Sequence, residues 1–127
     1  MKYSRFEDLP VWKNAIELAE RVFQLTKGHF FSQPGDLRDQ LRRAALSISN
    51  NVAEGFERGT TAELLMFIYI ARGSAGEVRS MLRLCDRMTS QSGSQNPDAI
   101  RHPQDPGPAI SNSASAINSI SNLKFQI

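Results

Sequence analysis

Cysteine is almost absent from this chain of 127 residues: Cys85 is its one thiol. That excludes an intrachain disulfide framework and any zinc site built from several cysteines. Histidine is nearly as scarce. His29 and His102 lie far apart, so no metal cluster with a familiar ligand spacing can be assembled, and no metal or cofactor is expected. Long apolar runs are missing too, since no stretch approaches the roughly eighteen apolar residues of a membrane-spanning helix. The opening Met1-Lys2-Tyr3-Ser4-Arg5-Phe6 carries no apolar signal core. A cytoplasmic protein with no membrane partner is the expectation. A strong charge of one sign is also lacking. Fifteen Lys and Arg face thirteen Asp and Glu, for a formal net charge of +2. That balance does not announce nucleic-acid binding, yet it leaves room for a local basic face.

What is present is a 40% hydrophobic fraction, enough for the core of one domain, arranged at helical spacing. A first helix is predicted at about 9–27. Asp8 or Leu9 stands as its cap, Pro10 lies in the first turn, and Gly28 follows the last turn. Trp12, Ile16, Ala19, Phe23 and Thr26 make one face, and Val11, Ala15, Leu18, Val22 and Leu25 the next. Pro34-Gly35 is a turn signal. A second helix is predicted at about 36–57, with Asp36 as cap and Leu41, Ala44, Ala45, Ile48 and Val52 as its apolar stripe. Gly55 either ends that helix or admits a close neighbour. A third helix, about 61–89, opens on Thr60-Thr61-Ala62-Glu63, a capping-box pattern. Its run from Leu64 to Ala71 is apolar on every side, and such a helix must be covered on every side. From this comes the expectation of a homo-oligomer. Residues 90–108 are rich in Ser, Pro and Gly and read as a mobile linker. Ile110, Ala114, Ile117, Ile120 and Leu123 then draw a thin apolar line, read as a weak fourth helix at about 109–124.

One flank of the second helix is unusual. Arg43, Ser47, Asn51 and Glu54 recur at spacings of four, four and three, a polar row beside the apolar stripe. The turn near residue 59 makes the second and third helices antiparallel neighbours. This placement brings Arg43 near Ser74 and Glu77 and predicts an Arg43–Glu77 ion pair across the seam. Gly73, Gly76, Ala44 and Ala45 are expected to let the backbones approach there. Arg43, Ser47, Asn51, Glu54, Ser74 and Glu77 are thus read as a structural polar network that fixes helix register, not as a catalytic site. Glu54 and Glu77 fall on the order of 20 Å apart along the seam at 1.5 Å per residue, too far for paired acid–base work.

Three blocks carry a family resemblance when taken in order. They are Phe6 to Trp12, Gln40 to Gly55, and Phe67 to Glu77. Across roughly residues 5–88 the chain resembles the four-helix-bundle proteins encoded in intervening sequences of bacterial 23S rRNA genes. Their fold is similar to that of the accessory proteins of diversity-generating retroelements, which form pentameric barrels and bind nucleic acid. The resemblance implies an all-α, up-down antiparallel four-helix bundle assembled as a ring-like homopentamer. It implies no enzyme, and most members of the family have no assigned function. The long Pro/Ser-rich third connection and the charge-poor last segment depart from the family pattern.

The other candidate chemistry is basic. Arg72, Arg79, Arg83 and Arg87 recur at seven, four and four and share a face of the third helix. Arg38 and Arg42 are placed near the same end of the bundle. Six arginines in one region could contact RNA or DNA phosphates, and repetition around a ring multiplies the field. No aromatics are interleaved among them, so base stacking is not supported. The competing reading is a solvated face on a protein–protein assembly scaffold that binds no nucleic acid. Cys85 reads as a core thiol. No catalytic residue is identified, and an enzyme is not expected.

Overall fold

The computed structural model describes residues 2–32 and 35–92. They form three helices, α1 (Pro10–Leu25), α2 (Asp36–Glu57) and α3 (Thr61–Ser92), with short 3-10 turns at Phe6–Asp8 and His29–Phe31. There is no strand among the described residues. The segment read as a fourth helix, and the linker from residue 93 onward, lie outside the described residues.

Helix α2 is the middle of the arrangement, with α1 and α3 packed against it. Its contacts with α3 show why. The buried positions of α3 are Leu64, Ile68, Ala71, Ala75, Val78, Leu82 and Cys85, which alternate steps of four and three without a break. The buried positions Leu41, Ala45, Ile48, Val52 and Gly55 of α2 follow the same alternation. A stripe averaging 3.5 residues per repeat stays on one side of each helix, as in coiled-coil packing. Leu41, Leu82, Val52 and Val78 are the largest fully buried side chains, and each contributes roughly 1.5–3 kcal/mol by leaving water. From α1, Ala15, Leu18, Ala19 and Val22 join this core.

Small residues set the helix separation, though not all those expected to. A Cβ on Gly55 would stand 2.6 Å from the Phe67 Cβ and 3.2 Å from the Leu64 Cα. Gly55 therefore lies at a close approach between α2 and α3, and it lies inside α2. Ala44 and Ala45 are buried at the same seam. Gly73 and Gly76 do not take part, since a Cβ on either would meet nothing within 4 Å. Both face outward because they fall off the four–three alternation.

The helix ends follow local chemistry. Pro10 occupies the first turn of α1, behind Leu9, where its missing N–H breaks no helical hydrogen bond. Asp36 lies in the first turn of α2 with Asp39, and Gly35 is the cap residue. Both carboxylates still complement the helix dipole. Thr60 Oγ1 accepts from the Glu63 backbone N–H at 3.2 Å and donates to Glu63 Oε2 at 2.6 Å, opening α3. Between α2 and α3, Gly59 takes φ 87°, which a side chain would resist. Gly28, by contrast, has φ −67° and leads directly into the 3-10 turn.

Candidate interaction surfaces

The polar row divides into an inner part that is joined and an outer part that is not. Ser47 Oγ and Ser74 Oγ lie 2.9 Å apart across the α2–α3 seam. Asn51 Nδ2 donates to the Ser47 carbonyl at 2.7 Å and to Ser47 Oγ at 2.9 Å. With Asn51 donating to it, the Ser47 hydroxyl can give its own proton to Ser74. All three side chains are half-buried. No buried side-chain nitrogen or oxygen among the described residues lacks a partner.

Arg43 and Glu77 are not part of this network. Both are exposed, and the ion pairs among the described residues do not include them. Helical geometry gives the reason. Each step of four residues turns the row about 40° around the axis, so Ser47 and Asn51 swing into the seam while Arg43 stays outside. Glu54 is exposed as well. It accepts from Arg58 Nη2 at 2.9 Å within its own helix, and that pairing holds the Arg58 guanidinium pKa above its ordinary value. Arg58 also lies over the Phe67 ring, 5.4 Å from its centroid.

Of the arginines expected to face nucleic acid, two are already engaged. Arg42 Nε donates to Thr26 Oγ1 at 2.7 Å. The Arg42 guanidinium stacks 4.9 Å from the Phe23 ring centroid. Thr26, 2% exposed, donates in turn to the Val22 carbonyl at 2.8 Å. This Phe23–Thr26–Arg42 cluster ties α1 to α2 and was not read as a unit from the sequence. The available signal was a single hydroxyl on an otherwise apolar line, one turn after an aromatic. Arg38 pairs with its neighbour Asp39 at 3.3 Å.

The four arginines of α3 differ. Arg72, Arg79, Arg83 and Arg87 are all exposed, and none joins an ion pair among the described residues. Asp86, half-buried at the edge of their face, has a partner of its own. The same helix also exposes apolar side chains: Met66, Tyr69, Ile70 and Leu84 are 55%, 68%, 48% and 47% exposed. On α2, Leu46 is 40% exposed.

Cys85 is buried. Burial, with a smaller contribution from Asp86, pushes its thiol pKa up, which keeps it protonated and unreactive. No group of His, Cys, Asp and Glu among the described residues could hold a metal ion. No described helix is long and apolar enough to cross a membrane.

Two comparisons with known proteins bear on these surfaces. The family model described as 23S rRNA-intervening sequence protein matches residues 7–99. No curated protein matches the chain.

Proposed function

The chain belongs to the family of 23S rRNA-intervening sequence proteins, and from that premise we propose that it acts by binding rather than by catalysis. It is a non-enzymatic, cytoplasmic, self-associating helical protein that holds RNA or DNA phosphates on the basic face of α3. One observation carries this reading: Arg72, Arg79, Arg83 and Arg87 share a face, are exposed, and take part in no ion pair among the described residues. A guanidinium without a carboxylate partner is free to fork onto phosphate oxygens. Contacts of that kind read the backbone, so binding is expected to tolerate any base sequence.

Titration of a labelled generic single-stranded RNA across salt concentrations tests the reading. Each phosphate neutralised contributes a slope of about −0.7 in log K against log salt for single strands. Four arginines per chain therefore predict a slope of roughly −3 for each subunit engaged. No measurable binding at low ionic strength would remove the reading.

The exposed Leu46, Met66 and Ile70 favour self-association, and they equally support the second reading, a protein–protein scaffold without nucleic acid. The resemblance supports an assembly of five subunits. Light scattering is then expected to give a mass several times the 14.2 kDa of one chain, and a clean monomer would overturn self-association in either reading.

A further inference from the structure

Arg43 and Glu77 were expected to pair within the chain and do not. Each belongs to an outward stripe that the described residues leave open. On α3 the stripe is Met66, Ile70, Gly73 and Glu77, at steps of four, three and four. On α2 it is Ala53, Asn50, Leu46 and Arg43 in descending order, at steps of three, four and three. Set antiparallel, the two stripes register one to one. Met66 comes opposite Ala53, Ile70 opposite Asn50, Leu46 opposite Gly73, and Arg43 opposite Glu77, so at two of the four levels a large side chain meets a small one and at a third a cation meets an anion.

Their heights also agree. Within one chain Ser47 bonds to Ser74 and Gly55 meets Phe67, so residues of α2 and α3 whose numbers sum to about 121 lie level. The opposed stripe positions follow the same relation to within about two residues. A second copy rotated about an axis parallel to the helices therefore brings its α2 stripe onto the α3 stripe with no shift along the axis.

We infer that a second copy of this chain docks here, with Arg43 of one copy paired to Glu77 of the other and Leu46 seated over Gly73. The contact rests on the self-association proposed above and gives it a location. Charge complementarity argues for this occupant, because Arg43 and Glu77, neither of them in an ion pair among the described residues, are set against each other by the register. Like charges in register would repel, so the pair also selects the alignment.

Charge exchange is the test, read as mass by light scattering over a dilution series, with helicity checked by circular dichroism. Arg43→Glu and Glu77→Arg should each raise the concentration for half-assembly by roughly tenfold or more. Combining both changes in one chain should restore the wild-type mass, because every interface then again sets a base against an acid. Gly73→Leu provides a second arm. Its Cβ meets nothing within 4 Å inside the subunit, so the chain should fold normally and fail to assemble. If the wild type assembles and the single variants assemble equally well, or the chain carrying both changes is not restored, this surface is wrong while self-association stands. A monomeric wild type overturns both.

Discussion

The outer surfaces of α1 and α3 are finished differently. After Pro10, the exposed residues of α1 are polar, including Lys13, Asn14, Glu20 and Gln24, and Arg21 Nη2 meets Glu17 Oε1 at 2.7 Å one turn away. On α3 the exposed residues include Met66, Tyr69, Ile70 and Leu84, together with four arginines that have no acidic partner among the described residues. A helix that only needs to face water looks like α1. Apolar and cationic groups left open together on α3 point to contacts outside the subunit. On the proposed reading, the difference separates the part of the molecule that holds itself together from the part that would meet a partner.

The sharpest way to break this comparison is to cut into α3 from each side. Leu82 is 2% exposed and Leu84 47%. Leu82→Ala should cost about 2–5 kcal/mol in urea unfolding, from lost burial and the cavity left behind. Leu84→Ala should stay within about 0.5 kcal/mol. Comparable losses would mean that the outer face is also part of the core.

Glycine gives a smaller contrast of the same kind. Gly55→Ala forces a methyl to 2.6 Å from the Phe67 Cβ and should destabilise by about 1–3 kcal/mol. Gly73→Ala enters open space and should stabilise the helix by up to about 1 kcal/mol. Thermal unfolding of the two variants gives the sign directly, and shifts in the same direction would contradict the assignment of Gly55 alone to the close approach. At the α1–α2 contact, Thr26→Val removes the acceptor of Arg42 Nε and should cost about 1–2 kcal/mol, measurable by the same denaturant series.

The smallest effect concerns pH. The folded state raises the Cys85 thiol pKa, chiefly by burial. The unfolded chain therefore releases this proton first as pH rises. The stability associated with the neutral thiol is complete below the unfolded thiol pKa and is lost as pH climbs through the folded one. Cys85→Ala should flatten the alkaline side of the stability profile, and an unchanged profile would show that the thiol does not contribute.

Much of the fold was legible because long helices repeat their signals. The unbroken apolar run from Leu64 to Ala71 has no period of its own; the Thr60–Glu63 capping pattern before it and the helical spacing of Val78, Leu82 and Cys85 after it mark α3 as a helix. The Ser47–Asn51–Ser74 part of the polar network was accessible from spacing and antiparallel register together. The Arg43–Glu77 pair was not, because counting by fours ignores the rotation of such a row around its helix. Gly73 and Gly76 were misplaced for a related reason: composition reveals small residues, and only the phase of the stripe reveals which way they point. The Phe23–Thr26–Arg42 cluster needed the packing of α1 on α2, which no local signal supplies. Arg42 and Arg43, adjacent in sequence, accordingly end with opposite fates.

On the proposed reading, location and not total charge makes α3 the binding face. Two triple variants remove the same charge from each helix: Arg79, Arg83 and Arg87 to Ala on α3, and Lys13, Arg21 and Lys27 to Ala on α1 and its end. Fluorescence anisotropy with one generic single-stranded RNA at low salt compares them at equal net charge. The expected result is that the α3 triple loses salt-dependent binding while the α1 triple keeps most of it. Equal loss in the two would contradict the claim, since binding would then follow total charge.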